Sequence, residues 1–375
     1  MNLVTAGESH GKALVAIIEN LPANIAITAD YIKYYLNLRA SGYGRGGRQK
    51  IESNEISILS GIRNGYTTGA PIGLLIENND YINWKEIMDV AKADMDSKKI
   101  TKLRAGHADF AGVMKYNLQD ARNILERASA RESAIRVAAG SIARKFLEAL
   151  NIQVCGYVRQ VGNIIDNKHY IFRQIQKSRE NTLFMLDTVL CNQAKNLIDN
   201  VKSSGDTVGG VIEIHVHNIK VGFGSCMTYA EKLDANLARE VMSVQSIKGV
   251  EFGEGFALAY KNGSAVHDVI GYKDNQFYRK SNHAGGIEGG MTNGEDIILR
   301  AVQKPLPTLR QPLTTIDIVT KQEEKSAVER ADCCAIESCQ IILESVICTH
   351  LAKVILQRLG GDRLEEVQER YEKLP

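Results

Sequence analysis

No long polar or low-complexity tract interrupts this 375-residue chain, and with 44% hydrophobic and 24% charged residues neither disorder nor a fibrous architecture fits. An excess of one charge sign is also missing. Lys plus Arg number 46 and Asp plus Glu 44, a net charge of +2, so there is no bulk attraction to nucleic acid or to an anionic membrane. No apolar run approaches the roughly 18 residues of a membrane span. The stretch from Met1 to Gly11 carries Glu8 and His10 and lacks the basic segment and apolar core of a secretory signal. The seven cysteines (Cys155, Cys191, Cys226, Cys333, Cys334, Cys339 and Cys348) are odd in number and form no C-x-x-C pair, which argues against a disulfide framework or a zinc knuckle. These absences lead to an expected cytoplasmic protein with no nucleic-acid partner, no membrane partner and no metal.

Proline is scarce at 6 residues while glycine is abundant at 32, a balance that suggests many sharp turns and glycine-lined loops. The glycines fall in blocks (42–47, 61–73, 205–210, 249–255 and 285–294). Between them Leu14–Ile18, Glu55–Ile58, Gly73–Glu77, Val211–Val216 and Phe256–Ala259 read as strands. Ala29–Leu38 reads as an amphipathic helix, and Tyr229–Met242 as a helix opened by Thr228 and Glu231 in capping-box spacing. Two long apolar helices are expected over Asn117–Leu150 and Ala335–Leu359, the second closed by Gly360 and Gly361.

Strands and helices come in runs, which favours α+β with antiparallel sheets over a doubly wound parallel sheet. The length fits one domain over 1–375, roughly 100–200 residues being usual for a single domain or half. An internal echo, Glu126-Arg127-Ala128-Ser129 against Glu329-Arg330-Ala331-Asp332, raises the alternative of two related halves, about 1–200 and 201–375.

Several familiar patterns fail. Gly7-Glu-Ser-His-Gly11-Lys12 has the wrong spacing for a phosphate loop, and Ala13 stands where a Ser or Thr would hold magnesium. Gly42-Tyr-Gly44-Arg-Gly-Gly47 satisfies G-x-G-x-x-G but follows a helical pattern, not a strand. Glu213, His215 and His217 share one face of an alternating strand and are expected to be its polar, solvent-facing side and not metal ligands. Cys333 and Cys334 read as small packing residues, not nucleophiles.

Other patterns hold. Arg39, Arg45 and Arg48 lie within ten residues among glycines, so several guanidinium forks can be aimed at one carboxylate- or phosphate-bearing ligand. The rival reading, an arginine-glycine RNA contact, wants more basic surface than the balanced charge supplies. Gly106-His107-Ala108-Asp109 sets a histidine beside a carboxylate just after Arg104, and His10 sits in a glycine-bounded loop. Histidine titrates near neutrality, so both are candidates to give or take a proton.

Taken together, these segments resemble the chorismate synthase family from Thr5–Gly11 to Gly360–Asp362, which is essentially the whole chain. Arg39–Glu52, Gly106–Asp109, Glu126–Arg136, Lys248–Gly253, Ala284–Gly294, Lys304–Thr308 and Glu329–Cys334 carry the likeness in the family's order. The resemblance implies a carbon–oxygen lyase of the shikimate pathway, serving aromatic amino acid biosynthesis. It would convert 5-enolpyruvylshikimate 3-phosphate to chorismate by 1,4-elimination of phosphate with reduced FMN. It also implies a layered β-α-β sandwich with long helices between two antiparallel sheets, and a homotetramer. NADPH would enter only if the enzyme, or a separate flavin reductase as partner, reduces the flavin. Carried over, the catalytic residues would be His10 at the leaving phosphate, His107 at the flavin and Asp332 at the ring proton. Arg39, Arg45, Arg48, Arg104, Arg131 and Arg330 would hold substrate. The flavin would meet Arg127, Ala128, Ser129, Gln245, Ser246, Gly289, Lys304, Pro305, Leu306, Pro307, Thr308 and Arg330. Ala105 where proline is usual, His283 where arginine is common, and Cys334-Ala-Ile-Glu-Ser in place of a small-residue stretch depart from the pattern. The alternatives are a flavodoxin-like flavin reductase, which would want a parallel sheet, and an RNA-binding module.

Overall fold

The computed structural model describes residues 1–45, 55–328 and 332–375. Two antiparallel sheets carry most of the strand. In the first, Asn2–Ala6 and Ala13–Glu19 form a hairpin in unbroken register, and Ile72–Glu77 pairs with the outer side of Ala13–Glu19 and carries Ser57–Ile58 on its far edge. Period-two alternation explains which face is inside: Leu14, Ala16 and Ile18 are buried while Ile17 is half exposed. In the second, Gly210–His217 lies between Gln153–Val161 and Ile297–Gln303, with Ile247–Phe252 and Ile164–Ile165 at the two edges.

Every ladder in both sheets is antiparallel, as the run-like order of elements suggested and as a flavodoxin-like reductase would not have. The sheets also share a strand order. Numbering the main strands of each along the chain, the first pairs the second, the second the fourth, and the fourth the third, with Ile164–Ile165 as an addition to the second sheet. In each sheet a helix follows the second strand (Ala29–Ala40, Leu233–Met242) and a long one follows the fourth (Ser133–Ala149, Ile336–Leu359).

Helix Ser133–Ala149 packs on strands Ala13–Glu19 and Ile72–Glu77; helix Ile336–Leu359 packs on Gln153–Val161 and Gly210–His217; the two helices pack on each other. Gly140 permits that contact, since a Cβ there would lie 2.5 Å from the Ser345 Cβ. Ile135, Phe146, Ile341 and Ile347 are fully buried in one core cluster that runs from sheet to sheet. Within it Glu344 accepts from Arg144 at 2.7 Å and Arg179 at 2.5 Å, a pairing without which three charges would stand unsolvated in the interior. The expectation that no apolar run approaches a membrane span is corrected by helix Ile336–Leu359, which by length and composition is apolar enough to cross one, although 78% of its most apolar window is buried inside the protein. Its apolarity is that of a central core helix.

Three further expectations need correction. Phe256–Ala259 belongs to a 3-10 helix, Gly255–Tyr260, with Phe256 exposed to solvent. A short apolar run does not by itself distinguish strand from turn. Thr228 caps nothing with its side chain, because residues 229–231 form a separate 3-10 turn before helix Leu233–Met242 begins. The helix expected over 117–150 is broken: Arg122–Ala128 ends at Ser129, whose extended backbone starts the turn Ala130–Glu132, and the long helix begins at Ser133.

Candidate active site

His10 lies in the loop joining the first two strands. The loop doubles back at Gly7, where φ is +118° and a Cβ would lie 2.6 Å from the Ala13 carbonyl, a conformation that favours glycine. It then rests on helix Arg122–Ala128. Ser9 N–H donates to the Glu126 carbonyl at 3.0 Å, and His10 N–H to the Glu126 carboxylate at 2.7 Å. His10 Nδ1 meets the same carboxylate at 2.9 and 3.0 Å. Arg122 Nη1 reaches it from one helical turn away at 3.2 Å. Burial alone would raise the Glu126 carboxyl, but hydrogen bonds from His10 and the charges of His10 and Arg122 outweigh it, so the group stays below its ordinary pKa. Trp84 stacks on the imidazole with centroids 3.7 Å apart and planes at 19°.

His107 sits at the mouth of helix Asp109–Tyr116. Its Nδ1 lies 2.5 Å from Asp109 Oδ1, and the fully buried Asp109 also accepts from Arg104 Nε at 2.9 Å and Nη2 at 3.0 Å. Burial pushes the Asp109 carboxyl up, while the hydrogen bonds and charges of His107 and Arg104 pull it down further, leaving it well below the carboxylate range. Arg104 Nη1 donates to Thr308 at 3.0 Å and Lys304 Nζ to the Gly106 carbonyl, so the Lys304–Thr308 segment lies against this loop. Burial, then the nearby Lys248 charge, lowers the Lys304 ammonium pKa. Ala105 is exposed, and the Arg104–Asp109 pair braces the loop where a proline would have fixed one dihedral.

A third group gathers at the broken helix. Ser129 Oγ accepts from Arg131 N–H at 3.4 Å, Arg131 Nη2 reaches the Glu77 carbonyl at 3.5 Å, and Arg39 donates to Ser133 Oγ and the Ala130 carbonyl, each at 3.0 Å. Arg127 is half exposed and lies beside the Gly7 carbonyl at 3.4 Å. Gln245 and Ser246 join the groups: Gln245 Nε2 donates to Glu132 at 3.3 Å, and the Ser246 carbonyl accepts from Lys304 N–H at 2.9 Å. Ser246 holds φ +71°, a sparsely populated backbone state for a serine.

Asp332 pairs with Arg45 at 2.7 Å, and both line a narrow cleft with Gly44, Thr207, Thr308 and Arg310. Behind them Glu337, at the start of the long core helix, accepts from Tyr43 N–H at 2.9 Å while its Oε2 has no partner. Burial raises its pKa to about 7. Arg48 and Arg330 lie outside the described residues. Gly289, at φ +60° in the turn after Ile287–Glu288, has only Cys226 near the place its Cβ would take, and among the described residues no hydrogen bond joins it to these groups.

Sequence reasoning passed over Glu126, Trp84 and Glu132. Glu126 stood in the internal echo, but nothing in its spacing marks it as the partner of a residue 116 positions away. The expectation for Glu213 and His215 is overturned: they are buried, not solvent-facing. Glu213 accepts from His215 at 2.9 Å, Tyr157 at 3.1 Å, Arg159 at 3.0 Å and Arg300 at 2.6 Å. These hydrogen bonds and charges outweigh burial, which would raise the carboxyl, and bring Glu213 down to about 2. The outer sheet face is covered by the 166–186 segment, where Phe172 stacks on His217 with centroids 4.7 Å apart. Among the described residues no group of three His, Cys, Asp or Glu side chains is arranged to hold a metal. Cys333 and Cys334 are buried, and burial raises both thiol pKa values, in keeping with packing residues.

The family model for chorismate synthase matches residues 1–356. Chorismate synthase of Caldicellulosiruptor bescii is 47% identical over 379 aligned residues, covering 100% of this chain and 99% of the relative. That of Geobacter sulfurreducens is 48% identical, covering 99% and 98%. A solved crystal structure of chorismate synthase superposes with a TM-score of 0.80 at 35% identity, over 99% of this chain and 96% of the other. Full-length similarity of this order, on a chain that brings two carboxylate-held histidines and a set of arginines to neighbouring loops, places it: the chain belongs to the chorismate synthase family, lyases that eliminate phosphate.

Proposed function

We propose that the chain converts 5-enolpyruvylshikimate 3-phosphate to chorismate by 1,4-elimination of phosphate, with reduced FMN as cofactor. The observation that carries this reading is the link through Gln245 and Ser246, which ties the His10 and Arg131 side of the site to the His107 and Lys304 side. The residues fit a flavin. Gln245 Oε1 is buried with no hydrogen-bond partner, an acceptor suited to a heterocyclic N–H, while Lys304 and Thr308 offer donors suited to a phosphate. Arg127, Ala128, Ser129, Gly289, Pro305 to Pro307 and Arg330 complete the proposed flavin contacts. When bound, the reduced flavin supplies electron density to the reacting ring.

The chain's own groups do the rest. Arg39, Arg45, Arg48, Arg104, Arg131 and Arg330 neutralise the two carboxylates and the phosphate of the substrate and stabilise charge on the departing phosphate. His10 donates a proton to that phosphate. His107, held by Asp109 through Nδ1, keeps a proton next to the flavin, and Asp332, held by Arg45, assists removal of the ring proton.

The shared strand order supports a layered sandwich of two pseudo-repeated halves within the single domain 1–375. The junction it supports lies between Ala149 and Gln153, earlier than the boundary near 200 expected with the internal echo. A cytoplasmic homotetramer, dependent on NADPH only where the chain or a partner reductase reduces the flavin, completes the proposal. Anaerobic titration tests it: reduced FMN binds more tightly in the presence of substrate, and equal binding with and without substrate contradicts the reading.

A further inference from the structure

His10 makes more contacts with one residue than any acid role by itself requires. Its main-chain N–H donates to Glu126 Oε2 at 2.7 Å, and its Nδ1 lies 2.9 and 3.0 Å from the two carboxylate oxygens. A carboxylate only accepts, so Nδ1 carries the hydrogen and Nε2 is the nitrogen left to exchange a proton. Among the described residues Nε2 has no hydrogen-bond partner, while His10 as a whole is 7% exposed. Trp84 covers one ring face at 3.7 Å, so the ring is held in position and in plane.

Glu126 is itself held. It is 1% exposed and takes Arg122 Nη1 at 3.2 Å, and Arg122 is anchored on the Lys98 carbonyl by Nε at 3.0 Å and Nη2 at 2.8 Å. The cations around the pair are Arg122, Lys98 with its Nζ 4.5 Å from the Trp84 centroid, and Arg127 beside the Gly7 carbonyl. A neutral His10 leaves Glu126 and Arg122 balanced, and a protonated His10 shares the same anion.

We propose that Glu126 is a positioning residue for the elimination: it fixes His10 in the Nδ1–H tautomer, turns Nε2 towards the leaving phosphate, and supports the protonated ring, with Trp84 as the plate that sets the ring plane. The inference rests on His10 being the acid of the proposed reaction. Its low-lying carboxyl pKa agrees with the geometry by keeping Glu126 anionic across the neutral range.

The test uses the full chain with reduced FMN and substrate, oxygen-free, and two variants. Glu126→Gln keeps shape and loses charge; its kcat for phosphate release falls about 10–10²-fold with KM within about twofold. The high-pH limb of its kcat profile moves lower, because the protonated ring loses its anion. Glu126→Asp keeps the charge on a shorter stem, restores the limb and recovers part of the rate. Nitrogen-15 NMR of labelled His10 in the unaltered protein reads Nδ1–H directly, without turnover. Equal impairment of both variants with an unmoved limb, or an Nε2–H tautomer, overturns the proposal. His10→Ala with undiminished turnover instead overturns the underlying reading of His10, so the two failures are distinguishable.

Discussion

Arg104 and Asp109 grip each other by three hydrogen bonds inside the protein: Nε to Oδ2 at 2.9 Å, Nη2 to Oδ1 at 3.0 Å, and the Arg104 main-chain N–H to Oδ2 at 3.1 Å. The pair orients His107 from one side and Thr308 from the other. Removing one member of a buried pair strands the other, so Asp109→Asn is expected to cost about 3–5 kcal/mol of stability. Urea unfolding of the two proteins measures this, and a loss below about 1 kcal/mol would show that Arg104 finds solvent or another partner.

The two histidines should matter to chemistry more than to overall folding. His10→Ala and His107→Ala are each expected to cut turnover by about 10²–10⁴ while leaving circular dichroism close to the parent; His10→Ala should also melt lower, because it takes a partner from the buried Glu126. His107 is half-buried at the surface end of its loop, which makes its truncation tolerable. Near-normal rates in both variants would discard the assignment.

Glu337 gives a prediction in pH. Its folded pKa is raised to about 7 from the ordinary 4.5, so between those values the folded state binds a proton that the unfolded state has released. The stabilisation is fully present below about pH 4.5 and is lost as pH rises through about 7, a swing of about 3 kcal/mol at most. Glu337→Gln, which is neutral throughout, should flatten that part of the stability profile. Melting curves from pH 5 to 8 that run parallel for the two proteins would contradict the role of burial at this carboxyl.

The contact between the central helices is testable at Gly140. Alanine there gains about 1 kcal/mol of helix propensity but places its Cβ 2.5 Å from the Ser345 Cβ and 2.6 Å from the Ser345 carbonyl. Overpacking costs about 1–3 kcal/mol, so the clash wins and Gly140→Ala should melt lower than the parent. A higher melting temperature would mean that the helices separate freely.

What the sequence revealed follows the strength of local signals. Strands Ala13–Glu19, Ile72–Glu77 and Gly210–His217 and the helix Ile336–Leu359 were legible because alternation or a long apolar run with glycines behind it is a local pattern. Strands Asn2–Ala6, Gln153–Val161, Ile247–Phe252 and Ile297–Gln303 went unread. They mix polar and apolar residues whose faces are decided by what packs on them; Glu213 and Arg300 are held by each other across a ladder and not by water. The helix break at Ser129 was hidden because Ala, Arg and Glu on either side all favour helix, while the turn serves Arg39 and Arg131. At the site, His10 and His107 showed through their glycine-bounded loops. Their carboxylates did not show alike: Asp109 was adjacent in sequence, and Glu126 became visible only when helix Arg122–Ala128 was laid beside the first hairpin.

The most direct measurement is rapid mixing of the protein with reduced FMN and 5-enolpyruvylshikimate 3-phosphate in the absence of oxygen, following phosphate and near-ultraviolet absorbance together. One phosphate should be released for each conjugated product formed, with no net consumption of flavin. Absence of phosphate release with reduced flavin present, or NADPH turnover that is indifferent to the phosphorylated substrate, would contradict the proposed reaction.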